Sequence, residues 1–319
     1  MNIFNERIEN AKSICILGHD NPDGDCIGSA LAVYNYILNK YDDEKVVKIY
    51  LSTFSDKFLI LPNADKISSD LMDATKYDLC IVVDSGSEER LKDYVRYFRE
   101  AKDSIVIDHH ENNTLPASVS IVNSESIATC EVLYPFFEKI FIDENVAKCL
   151  FLGLATDSGV FRYKAVNKKT FELAGTLVSY GFDFTSMLDR IVFDNSFNQR
   201  KAQAVAFERL KLLSNGRVSF SYFLDNDFGE VNVTKNDIDN IIVYLREISG
   251  IKIAAFTYQV GNNIFKFSLR SKDDSINLVD FAKNHDGGGH RLAAGCMYYG
   301  SIEDVISNFE KDITKFLDE

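Results

Sequence analysis

The chain has only five histidines, and they are not scattered. His19 opens the run His19-Asp20-Asn21-Pro22-Asp23-Gly24-Asp25, an H-x-x-x-D-x-D pattern. His109 and His110 close the apolar run SIVI as Asp108-His109-His110. His285 and His290 flank the triplet Gly287-Gly288-Gly289. Imidazoles grouped with carboxylates suit manganese, iron, zinc or magnesium better than copper. Two further aspartates end apolar segments in the same manner: Asp84-Ser85-Gly86 after CIVV, and Asp157-Ser158-Gly159 after CLFLGLA.

Each cluster alone has an ordinary explanation. A Pro/Gly turn carries solvated aspartates, and strands commonly end in a polar residue. Four carboxylate-bearing ends, two of them with histidine, are hard to reach by coincidence. They also supply more donors than one catalytic cation needs. A pair of cations about 3.5–4 Å apart, sharing a carboxylate, generates hydroxide from a bridging water and neutralises charge building at a phosphorus centre. That chemistry is phosphate-ester hydrolysis. Near the other end, Gly287-Gly288-Gly289 is followed at once by His290 and Arg291, and Arg270 ends an earlier apolar run. Glycines expose consecutive amides that can cradle a phosphate, and arginine adds a planar fork of donors, so this segment reads as a phosphate clamp.

These groups need a scaffold that brings them together. The first half alternates strand-like and helix-like patterns: strands at 13–19, 46–52, 77–86, 104–110 and 118–123, with helices at 26–39, 87–101, 128–141 and 144–156. Such alternation implies an α/β fold, a parallel sheet with helices on both faces. Functional loops then gather at the carboxyl ends of the strands, where His19, Asp84 and Asp108 stand. Residues 168–212 read as mostly helical, with a polar stretch at 194–203. The remainder is a smaller α+β domain, with strands at 218–224, 251–260 and 263–271, a hairpin turn at 260–264, and helices at 234–248, 276–284 and 302–318.

Composition bounds the partners. The chain has 319 residues, 46% of them apolar, enough for two domains with real cores rather than a disordered chain. Its net charge is −13. Residues 213–319 hold 11 Lys and Arg against 16 Asp and Glu, and residues 1–212 hold 24 against 32. Neither half has the basic footprint that a long nucleic acid requires. The six cysteines form no C-x-x-C pair, and a reducing cytoplasm fits them. The N-terminus lacks the apolar stretch of a signal peptide, and no segment is long enough to span a membrane.

Taken together, these motifs resemble the DHH phosphoesterase superfamily, with Gly287-Gly288-Gly289-His290 resembling the signature of the DHH-associated C-terminal domain. Length and layout are most similar to the bacterial nanoRNase and pAp-phosphatase group. The resemblance implies a catalytic domain over 1–190, a helical connector over 191–214 and a substrate-binding domain over 215–319, with the active site in the cleft between domains. It implies two divalent cations, manganese first, with magnesium or cobalt able to substitute. One would be held by His19, Asp23 and Asp84, the other by Asp25, Asp84, His109 and Asp157, with Asp84 bridging. Asp108 would orient the His109 ring, and His110 would stand beside the scissile phosphate. Arg270, Gly287, Gly288, Gly289, His290 and Arg291 would hold the substrate's far end. The implied substrates are pAp, pApA and nanoRNA a few nucleotides long. The alternative is cyclic di-AMP; a single-strand exonuclease, an inorganic polyphosphatase and a non-catalytic nucleotide sensor rank below it. Homodimers are common among such proteins.

Overall fold

The computed structural model describes residues 2–319, which form two compact units, one running to Asp194 and the other from Asn195 to Glu319.

The first unit runs α1 (Ile3–Asn10), β1 (Ser13–Leu17), α2 (Gly24–Tyr41), β2 (Val46–Tyr50), β3 (Ile67–Ser68), β4 (Leu79–Val83), α3 (Glu88–Leu91), α4 (Val95–Glu100), β5 (Asp103–Asp108), β6 (Val119–Val122), α5 (Thr129–Leu133), α6 (Glu144–Asp157), α7 (Lys168–Val178) and α8 (Phe184–Leu188). Its six strands lie in the order β3-β2-β1-β4-β5-β6, and every neighbouring pair is parallel. The central strands are apolar without interruption because both faces are covered. Ile14, Ile16, Ile81, Val83, Ile105 and Ile107 face a core shared with α2 and α6. Cys15, Leu17, Cys80, Val82 and Val106 face Leu91, Tyr94, Tyr97 and Phe98 on the other side. The chain order reverses between β1 and β4, which opens a crevice at the carboxyl ends of those two strands.

The second unit runs α9 (Phe197–Glu208), β7 (Lys211–Leu213), β8 (Val218–Phe223), α10 (Asp225–Glu230), α11 (Lys235–Ile238), α12 (Ile241–Glu247), β9 (Ile253–Gly261), β10 (Ile264–Ser271), α13 (Leu278–Lys283), β11 (Gly288–His290), β12 (Ala293–Tyr299) and α14 (Ile302–Asp318). Its sheet order is β11-β12-β10-β9-β8-β7, mixed, with β8 and β9 parallel and the other pairs antiparallel. Phe220, Phe267 and Phe309 build one core, while Ala202, Ala206, Phe223, Leu245 and Phe256 build the other.

Several local readings differ from the sequence expectation, among them β7, a strand that ends the stretch read as helical to 212. The helix expected at 128–141 is only α5, followed by single 3-10 turns, because Pro135 has no amide for a helical bond. The helix expected at 87–101 is broken at Lys92, which sits at φ 51°. β12 went unread because its glycine and alanines looked like a continuation of the glycine-rich loop.

Candidate metal centre

β1 delivers His19, whose ring is buried. Its Nδ1 lies 2.8 Å from the Asp20 carbonyl, which leaves Nε2 facing the Asp84 carboxylate at 3.4 Å and Asp23 at 3.7 Å. Asp23 is the N-cap of α2, accepting hydrogen bonds from the amides of Asp25 and Cys26. Asp25, in the first turn of α2, is fully buried. The amides of Thr129 and Cys130, which open α5, donate to its carboxylate at 2.6 and 3.1 Å. Two otherwise orphaned helix-end donors are thus satisfied from 104 residues away in sequence.

β4 delivers Asp84 at φ 53°, a left-handed conformation that aspartate tolerates better than most residues. The Thr129 hydroxyl donates to its Oδ1 at 3.0 Å. β5 ends in Asp108-His109-His110, and His109 Nε2 lies 3.5 Å from Asp84 Oδ1 and 3.3 Å from Asp157 Oδ2. Asp157 is the last residue of α6. Beyond it the chain turns through three successive left-handed residues, Gly159, Val160 and Phe161. A β-branched valine in that region is strained, and the Val160 amide is held on the Ala155 carbonyl at 2.7 Å. Six sequence-selected residues, His19, Asp23, Asp25, Asp84, His109 and Asp157, therefore converge in one place, linked through Asp84 and His109.

The electrostatics of this cluster fit a divalent cation. Burial pushes the Asp157 carboxyl up to about 10, and the charges of Asp25, Asp23 and Asp84 push in the same direction. Burial, then Asp84, drives Asp25 well above the usual carboxylate range. Burial opposes protonation of His19, yet its bonds to Asp23 and Asp84 outweigh it and raise the ring's affinity for protons. The cluster therefore concentrates more negative charge than its own side chains neutralise, a deficit that a divalent cation would offset. Sets such as Asp25, His109 and Asp157 present donor atoms within 4.8 Å of one another. Carboxylate and imidazole donors so placed match a borderline or hard divalent ion. Cys26 stands with His19 and Asp84, but burial raises its thiol to about 11, which keeps it protonated near neutral pH.

Asp108 does not do what the resemblance implies. Its Oδ1 accepts from the backbone amides of His109 and His110 and lies 2.7 Å from His110 Nδ1, so the ring it orients is that of His110. Its Oδ2 accepts from Asn113 Nδ2 at 2.7 Å. The Asp108 bond raises the pKa of His110, which in turn holds Asp108 low despite burial. Asn113 and Thr129 were not singled out from the sequence. Neither carries a spacing signal, since their side chains reach Asp108 and Asp84 only in the folded chain.

In the second unit, Gly288–His290 are an exposed edge strand paired with β12 rather than a free loop. A Cβ on Gly287 would come 2.1 Å from the Gly295 carbonyl, and one on Gly289 would come 2.5 Å from the Ala293 carbonyl. Close strand approach explains those two glycines, while Gly288 faces open space. Arg270 lies on β10, opposite Ala293 of β12. The Arg291 guanidinium donates to the Asp274 carbonyl at 2.6 and 3.1 Å.

Residues 13–154 match the model of the DHH family N-terminal domain, and residues 215–319 match the DHHA1 domain. The chain is 29% identical over 303 residues to a probable bifunctional oligoribonuclease and PAP phosphatase from Streptococcus mutans, covering 93% of each chain. It is 26% identical to the bifunctional oligoribonuclease and PAP phosphatase of Bacillus subtilis, covering 93% of this chain and 94% of that one. The crystal structure of an exopolyphosphatase-related protein from Bacteroides fragilis matches with a TM-score of 0.87 at 22% identity, over 98% of this chain and 95% of that one, which speaks for the fold. Among the described residues, no helix is long and apolar enough to cross a membrane.

Proposed function

Since the chain belongs to the DHH family and carries a DHHA1 domain after its DHH domain, we propose that it is a cation-dependent phosphoesterase acting on nanoRNA a few nucleotides long, on pApA and on pAp. The observation that carries this reading is the convergence of His19, Asp25, Asp84, His109 and Asp157 beside the Asp108–His110 pair. His19, Asp23 and Asp84 would hold one divalent cation, and Asp25, Asp84, His109 and Asp157 a second, manganese being the reading for both. When bound, the cations would supply Lewis acidity for water activation and for neutralising charge on the phosphoryl group.

The chain's own residues then have distinct work. Asp108 fixes the tautomer and direction of His110, so that His110 Nε2 is the atom that gives or takes a proton at the reacting phosphate. The Thr129 hydroxyl and the Ile107 carbonyl hold the side chain and amide of Asp84 in one orientation. In the second unit, Arg270, the outer edge of Gly288–His290 and Arg291 are assigned to the substrate's remaining phosphate or terminal nucleotide. A negatively charged protein can hold a short anion through such local donors while rejecting a long polymer.

The test is a rate comparison with manganese present. Initial rates are measured on pAp, pApA, cyclic di-AMP, a 5-mer RNA and inorganic tripolyphosphate, for the wild type and for Asp84→Asn. Hydrolysis of the linear nucleotides, lost in Asp84→Asn, is expected. An inert wild type, or a variant as active as the wild type, overturns the reading.

A further inference from the structure

Arg90 was not among the residues selected from the sequence, and the fold places it at the site. It lies on α3, the short helix that follows Asp84-Ser85-Gly86-Ser87. Its main chain is fixed on two sides: the Asp20 amide donates to the Arg90 carbonyl at 2.7 Å, and the Arg90 amide donates to Ser87. The first of these bonds ties α3 to the loop bearing His19 and Asp23. The backbone of Arg90 thus has a structural task, and its side chain is left for another.

The half-buried guanidinium reaches His110, with Nη1 3.4 Å from Nε2. Among the described residues no carboxylate lies within ion-pair distance of it, although the surrounding cluster is rich in them. Arginine is a permanent cation with five N–H donors and no acceptor. One donor directed at a ring nitrogen leaves most of the fork unused. The His110 side chain is 37% exposed, so the space beside the two groups is open to a ligand. His110 Nδ1 is committed to Asp108, and Nε2 is therefore the ring atom available beside Arg90. An anionic oxygen lodged between Nε2 and the guanidinium would satisfy both, and a phosphoryl group presents such an oxygen.

We propose that Arg90 is a substrate-binding residue whose guanidinium holds a non-bridging oxygen of the reacting phosphate beside His110. This rests on the phosphoesterase reading above. It gives the site a fixed positive group supplied by the protein and not by a cation, placed on the His110 side. The oxygen gains charge as the transition state forms, so a pre-positioned donor is worth more there than in the ground state.

The experiment uses the full chain with manganese and compares Arg90→Gln, Arg90→Lys and Arg90→Ala with the wild type and with Asp84→Asn. Hydrolysis of pApA, competitive inhibition by inorganic phosphate and the manganese-induced shift in melting temperature are measured on each. Arg90→Gln is expected to lower kcat/KM by about 10²–10³-fold, the cost of removing one transition-state donor. Phosphate inhibition should weaken, and Arg90→Lys should recover only part of the loss because an ammonium lacks the fork. Guanidinium chloride at millimolar concentration should restore part of the activity of Arg90→Ala and none of that of Asp84→Asn. The manganese shift should stay unchanged in all three Arg90 variants. Arg90→Gln activity within about twofold of an active wild type overturns the proposal and leaves the phosphoesterase reading standing. Loss of the manganese shift together with activity also overturns it, since the side chain would then be supporting the fold. A wild type inert on every phosphate ester fails the broader reading, and this one with it.

Discussion

Replacing Gly153 by alanine tests whether the acidic cluster and the helix packing are one object. Gly153 lies in α6 against α2, and an added Cβ would stand 2.4 Å from Asp25 Oδ1, 2.3 Å from Cys130 Sγ and 3.1 Å from Asp25 Cα. None of these neighbours can easily yield. Asp25 and Cys130 are fully buried, and Asp25 Oδ1 is held by the Cys130 amide at 3.1 Å. Inserting one methyl group into such a core costs about 1–3 kcal/mol. Better helix propensity returns about 0.5–1 kcal/mol. A net loss of about 1–2 kcal/mol lowers the melting temperature by roughly 2–8 °C for a unit of this size. The methyl group also displaces a carboxylate assigned to a cation, so manganese stabilisation and hydrolysis should fall with stability, hydrolysis by about 10²-fold for a misplacement near 1 Å. Gly175→Ala is the control. It lies in α7, where a Cβ meets nothing within 4 Å, and it should raise stability by about 0.5–1 kcal/mol with activity unchanged. Thermal melts with and without manganese, followed by pApA hydrolysis, give both answers. A Gly153→Ala protein that melts with the wild type and keeps its full manganese response would refute the reasoning.

Asp84→Asn should fold normally, because asparagine accepts the left-handed backbone and can still receive the Thr129 hydroxyl; at manganese concentrations near 100 Kd it should lose about 2.7 kcal/mol of ligand-linked stability, read from paired melts. Asp25 and Asp157 hold protons in the folded, cation-free chain that the unfolded chain has shed, so stability without cations should decline as pH rises from the ordinary carboxylate range toward 10. Manganese must displace those protons, so its affinity should rise over the same range; calorimetry in buffers of different ionisation enthalpy would detect the release, and a pH-independent affinity would contradict it. Asn113→Ala frees Asp108 Oδ2, and kcat should drop by about tenfold with the manganese shift intact. Gly287→Ala should destabilise the second unit while Gly288→Ala leaves its melting unchanged, and equal effects would argue against the edge-strand arrangement.

The centre of the parallel sheet was legible because β1, β4 and β5 are largely apolar runs of the right length, each leading into a residue that no buried strand would carry. His19, Asp84 and Asp108 announced both the strand and the place where it stops. The partnerships among them were not legible. That Asp108 turns to His110 and not to the His109 ring depends on a backbone reversal after β5, and both rings are adjacent in sequence. Thr129 and Arg90 look like ordinary helix residues, and their importance comes from elements that meet only in the folded chain. The glycine triplet is visible in the sequence, but the packing reason for two of its members is not. Its outer members are glycines because β12 passes too close for a Cβ, a constraint invisible while β12 itself was unread.

The bond between Asp25 and the first turn of α5 has a consequence for the order in which the chain assembles. α5 is only five residues long, too short to persist alone, and its capping acceptor lies 104 residues upstream. Closing so long a loop costs chain entropy, which the docking of α2 and α5 on the sheet has to offset. Until then Asp25 and Thr129 are strangers, and the carboxylates around them are dispersed along an open chain. A half-assembled unit therefore has no cluster to offer a cation. A divalent cation that binds this cluster would bind only a unit in which α2, α5 and the sheet are already joined.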